Sequence, residues 1–536
     1  MGTSKRVAVI GAGLSGLTTM KELLEAGHEV ECFEQGSDIG GVFSNLGSYD
    51  SVVLTVSNYF MSYSDFMPYD EPIRFWTRSE YRDYLHRYAK HFNLNSHITF
   101  QQGLEKIDEN ADGSWRLHFK CTNGEHVQRD FDRVAVCCGQ FQKANIPDIP
   151  GLDSFTGEVM HSSDYKNIDA HKQFHDKRVL CFGMGESAAD IVAEINTVSQ
   201  GTTLSVRRFH IFSSRMVGDR TIDTVQSRFW HSIPAQTKAE AVRNHWRQIL
   251  RTTNDPAIRL LAEHNIHATD EPGSVATKTE RIFHAMANGM KLDIGGVKRI
   301  EGSTVYFENG HSEDFDAIMM CTGFNTEFPF LPKQYRFNSV RECFLQCYHP
   351  ILQDRMVFIG FARPQQGGVP LISEMLARYY ALVLSGERQL PGNLKGLAQG
   401  EAQRWDQEFY DTPHVAGLVN GFRFNETVAD LIGCRPPRPS LFLSPRQFAV
   451  YWFHHIHPNQ YRLVGPGARE EAIERWTNTP FSHSDGNKYH RGQKIKMIAR
   501  LILFRLRSLF TLDDKRRWRP IFRPLSGAEK SVPKIS

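Results

Sequence analysis

The sequence predicts an α/β protein containing two Rossmann-type dinucleotide-binding units. Two observations carry that expectation. A strand, a glycine loop, a helix and a second strand follow one another at 6–34, and the same succession recurs at 178–208. The composition agrees: 40% hydrophobic, 23% charged and 11% aromatic residues over 536 positions describe a globular enzyme too long for one ordinary domain.

The first succession is RVAVIGAGLSGLTTMKELLEAGHEVECFEQ. Residues 7–10 read as a short buried strand, 17–25 as a helix stopped at Gly27, and 30–33 as a second strand ending in Glu34. Gly11 permits the tight turn, Gly13 lets the backbone approach a pyrophosphate, and Gly16 allows close helix–strand packing. The helix start, with Ser15 on it, supplies unpaired N–H groups and positive potential. Glu34 can accept hydrogen bonds from ribose hydroxyls and would repel a 2′-phosphate. The following Gly40-Gly41 pair lets the backbone pass close to a flavin, so the dinucleotide expected here is FAD. Gln35 and Val42 flank these positions and join the cofactor-binding candidates.

The second succession places a strand at 179–182, Gly183 and Gly185 in the turn, Ser187 at the helix start and a strand at 203–206. Ala188 stands where the third glycine would be. This strand ends in Arg207 and Arg208 rather than an acid. Two guanidiniums can fork onto a 2′-phosphate, which favours NADPH over NADH. The plainer alternative is a solvated strand end.

Two dinucleotide folds in one chain imply electron transfer between two cofactors. With the motifs that follow, the sequence resembles the flavin-containing monooxygenases, the N- and S-oxygenating family. FTGEVMHSSDY (155–165) matches that family's FxGxxxHxxxY stretch and adds His161 and Tyr165 to the cofactor-binding candidates. DAIMMCTGFNTEFPFL (316–331), the flavin-side segments at 360–370 and 374–378, which contain Gln366, and QYRLVGPG (460–467) continue the likeness in family order. Related Baeyer–Villiger enzymes carry Trp at the position of Tyr165. The resemblance also places an Asn against the flavin ten residues before the Asp of a F/Y-x-D motif; counting back from Asp65 gives Thr55. Asn58 lies three residues on, which on an extended strand means about 10 Å and the opposite face. Thr55 and Asn58 are the candidate catalytic residues.

The parsimonious architecture inserts the NADPH domain (164–314) in a discontinuous FAD domain (1–163 and 315–476), followed by a basic extension at 477–536. Within the insertion, 214–273 reads as a lid-like excursion with a helix at 237–251. Its histidines lack metal-ligand spacing, and no metal site is expected. The implied activity is a monooxygenase that consumes NADPH and O2 and passes one oxygen from a flavin hydroperoxide to a nitrogen or sulfur of a small amine, amino acid or thioether. A Baeyer–Villiger ketone oxygenase is the alternative. A flavin disulfide reductase would need a CxxC or CxxxxC pair, which is absent, and a non-catalytic flavin-bound interaction protein is the reading from another class.

A net charge of +3 gives no reason to expect nucleic-acid binding. Nine scattered cysteines, Cys137-Cys138 among them, read as packed thiols in a reducing, cytoplasmic setting. No opening apolar run reads as a secretory signal, and no stretch reaches the length of a membrane span. The segment 494–510, KIKMIARLILFRLRSLF, forms on a helical wheel an apolar arc bordered by cations. It reads either as a helix docked on the body or as a peripheral membrane contact.

Overall fold

Each glycine-loop unit forms a five-stranded, wholly parallel sheet, because its strands are near-continuous apolar runs that need cover on both faces. The computed structural model describes residues 4–44, 47–207, 211–218, 220–268, 276–409 and 416–478. Arg208 and the 494–510 segment lie outside the described residues.

In the first sheet, Arg6–Ile10 pairs on one side with Glu29–Phe33 and then Ile98–Thr99. On the other side it pairs with Arg133–Val136 and then Met356–Phe358. In the second sheet, Arg178–Phe182 has Gly201–Val206 and Lys291–Ile294 on one side, and Ala317–Met320 and Glu158–His161 on the other. Each unit also carries a three-stranded antiparallel meander, at 102–131 before the fourth strand of the first sheet and at 297–314 before the fifth strand of the second. The second sheet lies wholly between strands of the first in sequence, so one unit is inserted in the other. Its first and last strands in sequence, Glu158–His161 and Ala317–Met320, lie outside 164–314. By strand pairing, the second sheet spans 158 to 320.

The excursion at 214–273 holds a helix at Ala235–Thr252, one turn longer than the apolar periodicity predicts, and a second at Pro256–Ala268. Its first part docks on the outer unit instead of standing free. Arg215 donates to the Val53 carbonyl at 3.2 Å, the Ser57 N–H donates to Asp223 at 2.6 Å, and the buried Arg228 pairs with Glu426 at 2.8 Å.

A buried ionic cluster locks the outer unit. Arg462 contacts Glu22 at 3.0 Å, Asp65 at 3.1 Å and Glu374 at 2.7 Å, while Lys21 reaches Asp65 at 2.6 Å. Burial opposes ionisation of Asp65, but Arg462 and Lys21 outweigh it and hold the carboxyl down at about 2. The cluster ties the Leu14–Glu25 helix to the Val369–Leu384 helix, so the helix whose start must meet a pyrophosphate is fixed from its far side.

Candidate active site

The first glycine loop is shaped by backbone collisions that only glycine avoids. Gly11 sits at φ +102°, and a Cβ there would lie 2.9 Å from the Cys137 carbonyl oxygen; a Cβ on Gly16 would strike the Gly11 carbonyl. Gly13 starts the Leu14–Glu25 helix with no side-chain cap and no acid in the first turn, so the N–H groups there are left for an anion. A Cβ on Gly13 would stand 3.7 Å from the Cα of Gly41, so side chains would fill the slot between the two glycines. A dinucleotide fits that cradle. Glu34 is buried; its carboxylate accepts from the Ala12 N–H at 2.8 Å and the Gly36 N–H at 2.7 Å, one bond per oxygen, leaving lone pairs for a ribose. Gln35 is exposed beside it, and Val42 is half-buried in the turn Gly41–Phe43. The Ser15 hydroxyl bonds the Ser373 hydroxyl at 2.9 Å, fastening this helix to the Val369–Leu384 helix.

The second loop repeats the turn with less cover. A Cβ on Gly183, at φ +96°, would collide with the Cys321 carbonyl, while one on Gly185 would meet nothing within 4 Å. The Glu186–Asn196 helix starts uncapped, with Ser187 half-buried in its first turn. Glu186 sits there too, and burial pushes its carboxyl up, against the pull of the Lys278 N–H at 2.8 Å and the charges of Lys278 and Arg215. Arg207 is exposed at the end of Gly201–Val206, its Cγ 3.4 Å from where a Gly296 Cβ would stand. His161 ends its strand buried, with Nδ1 accepting from the Ser163 N–H at 3.1 Å and the ring edge-on to Phe324 at 5.3 Å; burial holds its pKa down. Tyr165 is fully buried, donates to Glu194 at 2.6 Å and stacks on His171 at 5.1 Å. It fastens the segment after that strand to the Glu186–Asn196 helix.

Residues 55–58 lie on a bend and the start of a turn, not on the extended strand assumed for them. Thr55 is half-buried at a bend, and its hydroxyl makes no hydrogen bond among the described residues. Asn58 is fully buried and held by the loop. Its Nδ2 donates to the Pro72 carbonyl at 2.9 Å, and its Oδ1 accepts from the Tyr59 N–H at 3.0 Å and the Arg74 N–H at 3.1 Å. Asn58 therefore braces the 57–61 turn.

Beside this turn lies a cavity of ≈ 40 Å³. Phe60 and Gln366 line it from the outer unit, together with Gly367 and Gly368 at the uncapped start of the Val369–Leu384 helix. Asp223, Gln226 and His231 close it from the excursion, and Phe422 and Asn425 from the Gly421–Ile432 helix. Of the sequence candidates only Gln366 is among these. The others were missed because they come from five separate chain regions with no spacing to connect them. Glu186 could have been read, as an acid inside a phosphate-binding loop.

Across the chain, residues 4–483 match the family model described as flavin-binding monooxygenase-like. The 4-hydroxybenzoate brominase (decarboxylating) of Marinomonas mediterranea is 38% identical over 478 residues, covering 87% of this chain and 91% of that protein. Flavin-containing monooxygenase 5 of Oryctolagus cuniculus is 30% identical over 501 residues, covering 87% and 90%. Among solved structures, the S-allyl-L-cysteine S-oxygenase of Allium sativum superposes with a TM-score of 0.59 at 20% identity over 93% of this chain and 98% of that one. Closed cyclohexanone monooxygenase gives 0.59 at 15% identity over 81% and 98%. Both structural likenesses speak for the fold.

Proposed function

The chain belongs to the flavin-binding monooxygenase-like family, and we propose that it uses FAD and NADPH to transfer one oxygen atom of O2 to a nitrogen or sulfur of a small molecule. One observation carries this reading: the same cavity is wired to both glycine loops. From the first loop, Ser15 bonds Ser373 on the helix whose start lines the cavity. From the second, Glu186 accepts from the N–H of Lys278, whose ammonium feels the charge of Asp223 on the cavity wall.

FAD, when bound and reduced by NADPH, would supply the electrons that activate O2 for oxygen transfer. The protein's own residues do the rest by position. Glu34 and the Gly13–Gly41 slot hold the adenosine and pyrophosphate, and Arg207 with Arg208 takes the 2′-phosphate of NADPH. Phe60 and Phe422 exclude water, and the Thr55 hydroxyl is a donor at the reacting face. A panel of amines, amino acids and thioethers under NADPH tests the reading by mass spectrometry. One added oxygen on nitrogen or sulfur supports it; NADPH-dependent peroxide with no oxygenated product from any of them counts against it.

A second reading has its own support in the brominase relatives. In it the acceptor is a phenolic aromatic acid such as 4-hydroxybenzoate, with bromide. Adding that pair and a cyclic ketone to the panel separates this reading and the Baeyer–Villiger alternative from the first. No helix among the described residues is long and apolar enough to cross a membrane.

A further inference from the structure

We propose that the ≈ 40 Å³ cavity between Phe60 and Phe422 binds a primary ammonium group, the head group of the small-molecule substrate. The inference rests on the oxygen-transfer reading only in assigning the head group to a substrate. Its foundation is a set of buried oxygens with nothing to bond. Asp223 is 5% exposed and Asn425 is 6% exposed. Asp223 Oδ1, Asn425 Oδ1 and Gln226 Oε1 are all buried without a hydrogen-bond partner, although Asp223 Oδ2 is used by the Ser57 N–H. A buried acceptor left unmade costs about 1–3 kcal/mol, so three around one cavity mark a place that a donor is meant to fill.

The chemistry of the lining selects the donor. An –NH3⁺ group offers three N–H donors to three oxygens, and one of those oxygens is on a carboxylate. Phe60 and Phe422 add ring surface suited to a cation. Among the described residues no cation pairs with Asp223; Lys278 feels its charge without bonding it. The same carboxylate turns away carboxylates and halides. Size excludes more. The cavity is far smaller than the roughly 150 Å³ that admits benzene, so it takes a head group or a water or two, and an aromatic ring must lie elsewhere. His231, held by burial down at about 3, is neutral and brings no competing charge.

The test follows the melting temperature of the FAD-loaded enzyme in methylammonium chloride, with potassium chloride, tetramethylammonium chloride and sodium acetate at matched ionic strength. Methylammonium alone should raise it, rising with the logarithm of concentration past half-saturation. In Asp223→Asn the half-saturating concentration should rise at least tenfold. Asp223 also holds the 57–61 turn, so Asn425→Leu, which leaves that bond alone and fills the cavity, is the second variant and should abolish the shift. No shift, an equal shift in potassium or acetate, or unchanged behaviour in Asn425→Leu would mean the cavity holds water and overturn the proposal. Turnover is read separately. Oxygenated amine or thioether product without a methylammonium shift sinks only the head-group site; a shift without product leaves the site standing and sinks the oxygen-transfer reading.

Discussion

The two glycine loops share a turn but differ in how tightly they are closed. In the first, a third glycine lets the helix press against the Gly11 carbonyl. Glu34 stitches the loop through Ala12 and Gly36, Gly41 stands across the slot, and Ser15 pins the helix from outside. In the second, Ala188 replaces that glycine, Gly185 opens on space, an acid stands in the first turn and the neighbouring strand ends in exposed Arg207. The difference suits two kinds of occupant. A closed, cross-linked cradle keeps a cofactor through many turnovers, while an open loop with a charge-reading strand end lets one bind and leave.

The sharpest way to break this comparison is to exchange the third loop residue. Gly16→Ala puts a methyl into the Gly11 carbonyl, and the protein should be purified without yellow colour or with FAD affinity at least a hundredfold lower. Ala188→Gly removes a methyl the second loop accommodates; it should keep its flavin and cost only about 0.5–1 kcal/mol through helix propensity. Flavin content after gel filtration, and its release on denaturation with the mass of FAD, decides between them. Equal flavin content in both variants would end the distinction.

The next effect concerns the strand ends. Replacing Arg207 and Arg208 with Ala should raise the KM for NADPH at least tenfold over that for NADH, since each charge-assisted bond is worth about 1.5–3 kcal/mol. The Glu34 end of the first loop, with its carboxylate, should show no such discrimination. Parallel changes for both nicotinamides would put the 2′-phosphate elsewhere.

Glu186 marks the smaller asymmetry. Its carboxyl is raised by burial, and an arriving pyrophosphate raises it further, so NADPH binding takes up a proton. The KM for NADPH should therefore climb several-fold as pH rises through this group, and Glu186→Gln should flatten that climb. The stability sign agrees. A carboxyl whose folded pKa exceeds its unfolded value costs nothing below the unfolded pKa, and its full cost is present above the folded one. Glu186→Gln should raise the melting temperature at pH 8 and leave it unchanged at pH 4. A wild-type KM independent of pH would show that the acid does not meet the phosphates.

Both loops were legible in the sequence because a phosphate cradle makes demands on the backbone itself, and those demands leave glycines at fixed spacing beside a strand and a helix. The domain boundaries were less so. Glu158–His161 and Ala317–Met320 carry no motif that says which sheet they join, and pairing across more than 150 residues settles it. The cavity was not legible at all. Phe60, Asp223, Gln366 and Asn425 meet only after the excursion folds back on the outer unit. The bonding of Asn58 was not legible either, because nothing local reveals that Pro72 and Arg74 claim its amide.

The last and smallest effect is expected where neither loop reaches, at Thr55. The hydroxyl there is half-buried, sits on a bend one residue short of the buried Val56–Met61 turn, and has no partner among the described residues. It can donate one hydrogen bond, whereas an Asn amide donates two and extends one bond further from the backbone. The neighbouring turn is fixed by Asn58 and by Asp223 from the excursion, so Thr55→Asn changes the donor without moving its base. Rapid mixing of the reduced, NADP-bound enzyme with O2 reads the result. The long-lived absorbance transient should persist several-fold longer in Thr55→Asn, and peroxide released per NADPH should fall. Thr55→Val, which keeps the shape and loses the donor, should shift both quantities the other way. If all three proteins decay alike, Thr55 does not face the reacting ring.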